Sequence, residues 1–146
     1  MRELPRHLTV DELAELFEGR TTLVERLAGQ QDPLGNAEYV IAELSEDEKL
    51  AALDAHPAIG AGAGLSARSA AEQGTDDDPA TLAELAELNR HYEERFGFRF
   101  VVFVNRRPKA EIVPVLRERL ERSRDEELDT ALAELVAIAR DRWQRG

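Results

Sequence analysis

Repeatedly in 146 residues the chain sets a hydroxyl residue three positions ahead of a glutamate, as at Thr9 and Glu12, Thr22 and Glu25, Ser45 and Glu48, and Ser123 and Glu126. This is capping-box spacing. The hydroxyl accepts from the backbone N–H three residues on, and the glutamate reaches back to the N–H of the cap. Each box announces a helix start, and starts this frequent leave little chain for any other structure.

The stops and apolar faces agree with those starts. The first helix runs to about Phe17 on a face of Leu13, Leu16 and Phe17, and Gly19 ends it. The second carries Leu23, Val24 and Leu27 as far as Gly29. Gln30 to Gly35 reads as a connection, and Ala37 to Leu44 as a short helix. The helix after Ser45 continues through Leu50 and Leu53 until Pro57 stops it. Asp78 can cap and Pro79 suits a first helical position. From there Leu82, Leu85, Leu88 and Tyr92 mark a face reaching about Phe96, closed by Gly97. Phe100 to Val104 is the one continuous apolar run. Its β-branched residues suggest an extended segment, but one strand cannot make a sheet, so an irregular core crossing is expected, with a helix as the alternative. Pro108 opens a helix to about Leu120, which Pro114 should kink or shorten. The last helix runs from Ser123 to about Arg142. The expectation is all-α: one domain spanning 1–146, with seven or eight helices.

Charge narrows the partners. Thirty acidic residues face 19 basic ones, for a net charge of −11, which disfavours nucleic acid and anionic membrane surfaces. No apolar run approaches a membrane span and no signal peptide opens the chain, so a soluble, cytoplasmic protein is expected. Cysteine is absent, which removes disulfides, thiolate metal sites and a thiol nucleophile.

One stretch departs from ordinary amphipathic helix. His56-Pro57-Ala58-Ile59-Gly60 is followed by a glycine- and alanine-rich run and then by Ser69-Ala70-Ala71-Glu72-Gln73. Histidine titrates near neutral pH, so the segment gathers an acid/base group, a carboxylate, a hydroxyl and an amide. Ser69 and Glu72 also have capping-box spacing. However, Gly74, Thr75 and the new start at Asp76–Pro79 leave room for about one turn, and so short a helix is marginal. The pair is better read as presenting side chains. His56 could equally be a helix-terminal residue bonded to backbone carbonyls. His7 lies near the terminus and His91 on a polar face. His56, His91 and Glu72 lack recognisable metal-ligand spacing, so no metal is expected.

Taken together, the motifs resemble those of the 2-oxo-4-hydroxy-4-carboxy-5-ureidoimidazoline (OHCU) decarboxylases. They are His56-Pro57-x-Ile59-Gly60, Ser69-x-x-Glu72-Gln73, Asn89-x-x-Tyr92-x-x-x-Phe96-Gly97-Phe98-x-Phe100 and Ile138-x-x-x-Arg142. The likeness covers about Phe17 to Trp143, and its specificity lies in their joint order. It implies an all-helical, cofactor-free lyase, usually a homodimer, that converts OHCU to S-allantoin and CO2 in urate degradation. It also implies a pocket with His56 and Glu72 as catalytic groups. Pro57, Ser69, Gln73, Arg142 and the backbone around Phe98 and Phe100 would bind the substrate. Family members commonly carry Ser/Cys-Pro-Trp after an early Phe-Glu, whereas here Phe17-Glu18 is followed by Gly19-Arg20-Thr21-Thr22. The rival readings are a non-catalytic helical interaction module and a related small-molecule lyase or hydrolase on the same scaffold.

Overall fold

The Thr9 box forms as its spacing requires. In the computed structural model, which describes residues 4–56 and 79–145, Thr9 Oγ1 accepts from the Glu12 N–H at 3.1 Å. Glu12 Oε1 accepts from the Thr9 N–H at 3.0 Å. Helix α1, Val10–Phe17, follows and buries Leu13, Leu16 and Phe17. It ends at Phe17 as expected, but the left-handed turn that closes it falls on Glu18 (φ 66°) and not on Gly19. Gly19 serves a different purpose: a Cβ there would lie 3.2 Å from the Cβ of Ala55, so its bare backbone lets the end of α1 approach residue 55.

Helix α2, Thr22–Ala28, corrects one reading. Its cap is Thr21, whose Oγ1 accepts from the Val24 N–H, and Thr22 is already helical. Two adjacent threonines offer two registers, and the extended backbone that a cap needs falls at Thr21 (ψ 170°). Helix α3, Ala37–Ala42, is shorter than expected. The Ser45–Glu48 box then forms with bonds of 2.8 and 3.2 Å and opens α4, Glu46–Asp54. Helix α5, Pro79–Phe96, closes on Gly97 at φ 79°, a conformation glycine adopts at little cost.

Residues 98–104 form neither strand nor helix. Side chains from the surrounding helices bond to their backbone: Arg119 Nη1 donates to the Val101 carbonyl (2.7 Å) and Glu134 accepts from the Phe103 N–H (3.3 Å). Phe98 and Phe100 pack edge-on to Tyr92 within an aromatic cluster completed by Phe96. Helix α6, Lys109–Leu120, runs through Pro114 and is not shortened by it. The Ser123–Glu126 box opens α7, Arg124–Arg145, which reaches a little beyond the expected Arg142.

Among the described residues there are seven helices and no strand. Helix α7 is the common neighbour, packed against α1, α3 and α4, while α5 packs on α6. Glu127, fully buried on α7, joins these parts. It accepts from Tyr92 of α5 and from Arg119 of α6, each at 2.7 Å, and from Arg122 at 3.2 Å. A buried carboxylate is tolerable only with partners of this kind. No helix among the described residues is long and apolar enough to cross a membrane.

Candidate active site

His56 sits just past the C-terminus of α4, where the chain leaves the helix toward Pro57. Its N–H donates to the Leu53 carbonyl at 3.1 Å, and only 7% of the residue is exposed. Arg99 of the 98–104 crossing clamps this end of α4. Its Nη1 donates to the His56 carbonyl at 2.7 Å and to the Asp54 carbonyl at 3.0 Å, and its N–H donates to Asp54 Oδ1 at 3.2 Å. The histidine is thus fixed through its backbone, while its ring lies in the protein. Among the described residues, the buried Nδ1 of that ring has no hydrogen-bond partner. Native proteins rarely leave such an atom unsatisfied. A polar group, from a residue outside those described or from a ligand, would complete it.

Arg142 approaches from α7 and is 1% exposed. Its Nη1 donates to the carbonyl of Leu16 at 3.0 Å, one of the carbonyls that the end of α1 leaves without a helical donor. Its Nη2 pairs with Glu18 Oε1 at 3.0 Å. Arg140, two positions earlier, is directed elsewhere: it donates to the Leu34 carbonyl and to Glu38 and is partly exposed.

Burial is the main influence on the His56 ring. With the positive charge of Arg142 and Arg99, and against the opposing pull of Glu18, it brings the imidazole from its ordinary 6.5 down to about 4. At neutral pH the ring is therefore uncharged, with one of its two nitrogens an acceptor.

The structure brings together His56 and Arg142 from the residues that the sequence singles out. Phe98 and Phe100 lie in the core, their rings held in the aromatic cluster, so what they can offer a ligand is backbone. Pro57, Ser69, Glu72 and Gln73 lie outside the described residues. His91 is exposed and pairs with Glu87 on its own helix. The described residues contain no cluster of histidine, aspartate and glutamate suited to a metal ion.

Two neighbours of His56 were not singled out. Arg99 carries no local sign of its role, because its partners are 43 and 45 residues away. Glu18 does carry one. A carboxylate at the C-terminus of a helix faces the negative end of the dipole, where a basic residue is favoured, and such a misplacement points to a distant cation.

On this all-helical scaffold a buried, uncharged histidine lies within electrostatic reach of a buried arginine and of the carboxylate paired with it, groups that can exchange a proton and hold an anionic oxygen. The chain belongs to the OHCU decarboxylase family, whose model matches residues 2–144. It is 30% identical over 140 residues to the 2-oxo-4-hydroxy-4-carboxy-5-ureidoimidazoline decarboxylase of Haloferax volcanii, covering 89% of this chain and 83% of that one. It is also 28% identical over 152 residues to the uric acid degradation bifunctional protein PucL of Bacillus subtilis. That match takes in 97% of this chain but spans only 31% of the larger protein. The crystal structure of an OHCU decarboxylase in the presence of (S)-allantoin superposes with a TM-score of 0.75 at 25% identity, covering 90% of this chain and 94% of that one.

Proposed function

We propose that this protein removes CO2 from OHCU to give S-allantoin in urate degradation, without a cofactor. The observation that carries the mechanism is the burial of the His56 ring within electrostatic reach of the buried Arg142 guanidinium, which together favour the uncharged ring.

The chemistry needs placement and proton transfer. The bond to the substrate carboxylate breaks, and its electron pair forms a C=C bond as the neighbouring C=N pair moves onto nitrogen, which takes up a proton. The hydroxyl then loses its proton as C=O forms, and the C=C pair takes a proton on the adjacent carbon. The substrate's own imine accepts the electrons. In this reading His56 enters neutral, accepts the hydroxyl proton and returns it to carbon from one face. Glu72 holds the hydroxyl and Gln73 reads the planar amide edge of the ring. Ser69, Pro57 and the backbone at Phe98 and Phe100 complete the wall. Arg142 offers its planar fork to an anionic or carbonyl oxygen. Such a local cation matters on a chain of net charge −11, which otherwise repels an anion.

The family resemblance supports the finer parts of the proposal: a cytoplasmic homodimer of single-domain chains spanning 1–146. The test of the mechanism is His56→Ala. A positioned acid/base contributes about 10²–10⁴-fold, so this variant, still folded by circular dichroism, should lose most of the acceleration over spontaneous OHCU decay. A folded His56→Ala protein with full activity would remove the histidine from the mechanism.

A further inference from the structure

Glu18 stands where local physics resists it. Its backbone is left-handed at φ 66°, a region that L-residues other than glycine, asparagine and aspartate seldom enter. Its carboxylate sits at the negative end of α1. The side chain is nonetheless 13% exposed and meets Arg142 Nη2 at 3.0 Å. Only a tertiary contact offsets these local costs. The left-handed turn and the last carbonyls of α1 place two acceptors side by side, the Leu16 oxygen for Nη1 and the Glu18 carboxylate for Nη2. Two acceptors on two different nitrogens fix the plane of a guanidinium, where one would leave it free to pivot.

We propose that Glu18 is a positioning residue for the decarboxylation: with the Leu16 carbonyl, its carboxylate fixes the plane of the Arg142 guanidinium beside His56. The inference rests on the decarboxylase reading for its effect on turnover. It has a second, electrostatic consequence that does not. His56 faces Arg142 from α7, Arg99 from the 98–104 crossing and Glu18 from the end of α1. Glu18 is the negative member of that set, and it keeps the ring more basic than two arginines and burial would leave it.

A merely structural ion pair between α1 and α7 would change stability but not the catalytic constants of the folded enzyme. The full chain is therefore compared with Glu18→Gln, Glu18→Asp and Glu18→Gly. The glycine variant relieves the left-handed backbone while removing the carboxylate, so it keeps the turn. Activity is read as kcat and KM on OHCU. The His56 ring is titrated by NMR without substrate, its signal identified by its loss in His56→Ala. Displacing a positioning group by about 1 Å can cost about 10²-fold. Folded Glu18→Gln and Glu18→Gly should thus lose about that much in kcat/KM, with His56 titrating below the wild-type midpoint. Glu18→Asp should recover part of both. Wild-type kcat/KM in the folded glycine variant would overturn the proposal whatever its His56 midpoint, and a wild-type midpoint would remove the electrostatic role. Wild-type protein inactive on OHCU would instead sink the decarboxylase reading, and the unchanged or lowered His56 midpoint would still decide the electrostatic role of Glu18.

Discussion

Lowering the pH from 7 to 4 charges His56 in the unfolded chain before it charges it in the folded one. The ring titrates at its ordinary 6.5 when exposed and at about 4 in the fold. Between those values the unfolded state binds the extra proton, so stability must rise with pH across this window. The contribution is fully present above about pH 6.5 and is lost progressively as the pH falls to 4. The gap of roughly 2.5 units, at 1.36 kcal/mol each, sets its size at about 3 kcal/mol, a large share of the stability of an ordinary domain. Carboxylates also titrate toward the acid end, but they are shared by a His56→Gln variant that cannot take up the proton. Urea unfolding of both proteins, followed by the fluorescence of the single tryptophan, Trp143, should therefore be run at intervals from pH 7.5 to 4. Wild type should lose about 3 kcal/mol more than His56→Gln over this range. Parallel stability curves for the two proteins would refute the claim that the ring is buried uncharged.

Other parts of the site and its frame give further expectations. Arg142→Lys keeps the charge but cannot reach the Leu16 carbonyl and Glu18 as one planar fork. The loss of a charge-assisted bond, about 1.5–3 kcal/mol, should lower kcat/KM by about 10- to 100-fold, whereas Arg140→Ala should be mild; the reverse order would mean the wrong arginine was assigned. Glu127→Ala leaves Arg119 buried without its carboxylate and should cost about 3–5 kcal/mol in urea unfolding; a loss under about 1 kcal/mol would show that the network is not holding α5, α6 and α7 together. Gly19→Ala sets a methyl 3.2 Å from Ala55 Cβ and should destabilise by about 1 kcal/mol, with unchanged stability showing that the α1 end does not need that close approach.

The helical frame was legible because its signals are local. The boxes at Thr9, Ser45 and Ser123 report contacts three residues apart, and a sequence displays such spacing directly. At Thr22 and Glu25 the same spacing misled by one residue, since the neighbouring Thr21 hydroxyl can cap as well and only the backbone decides. The 98–104 run showed its burial but not its partners, because Arg119 and Glu134 come from other helices. The site divides along the same line. His56 stood out through its neighbours in the chain, and Arg142 through the family motif. Arg99 and Glu18 act across 43 and 124 residues, where no periodicity carries information. The clue at Glu18 was physical, an acid at the wrong end of a helix. Gly19 was read as a helix stop, when its lack of a side chain serves the approach to Ala55. Glu72, Gln73, Ser69 and Pro57, which carry the rest of the proposed chemistry, lie outside the described residues.

The central claim is that this chain protonates one face of the intermediate left after CO2 departs. Urate treated with urate oxidase and hydroxyisourate hydrolase supplies OHCU, which also decays unaided to allantoin with no preference for either hand. With the protein added, the circular-dichroism signal of S-allantoin should grow faster than in the spontaneous control. Racemic allantoin, formed at the spontaneous rate, would contradict the account.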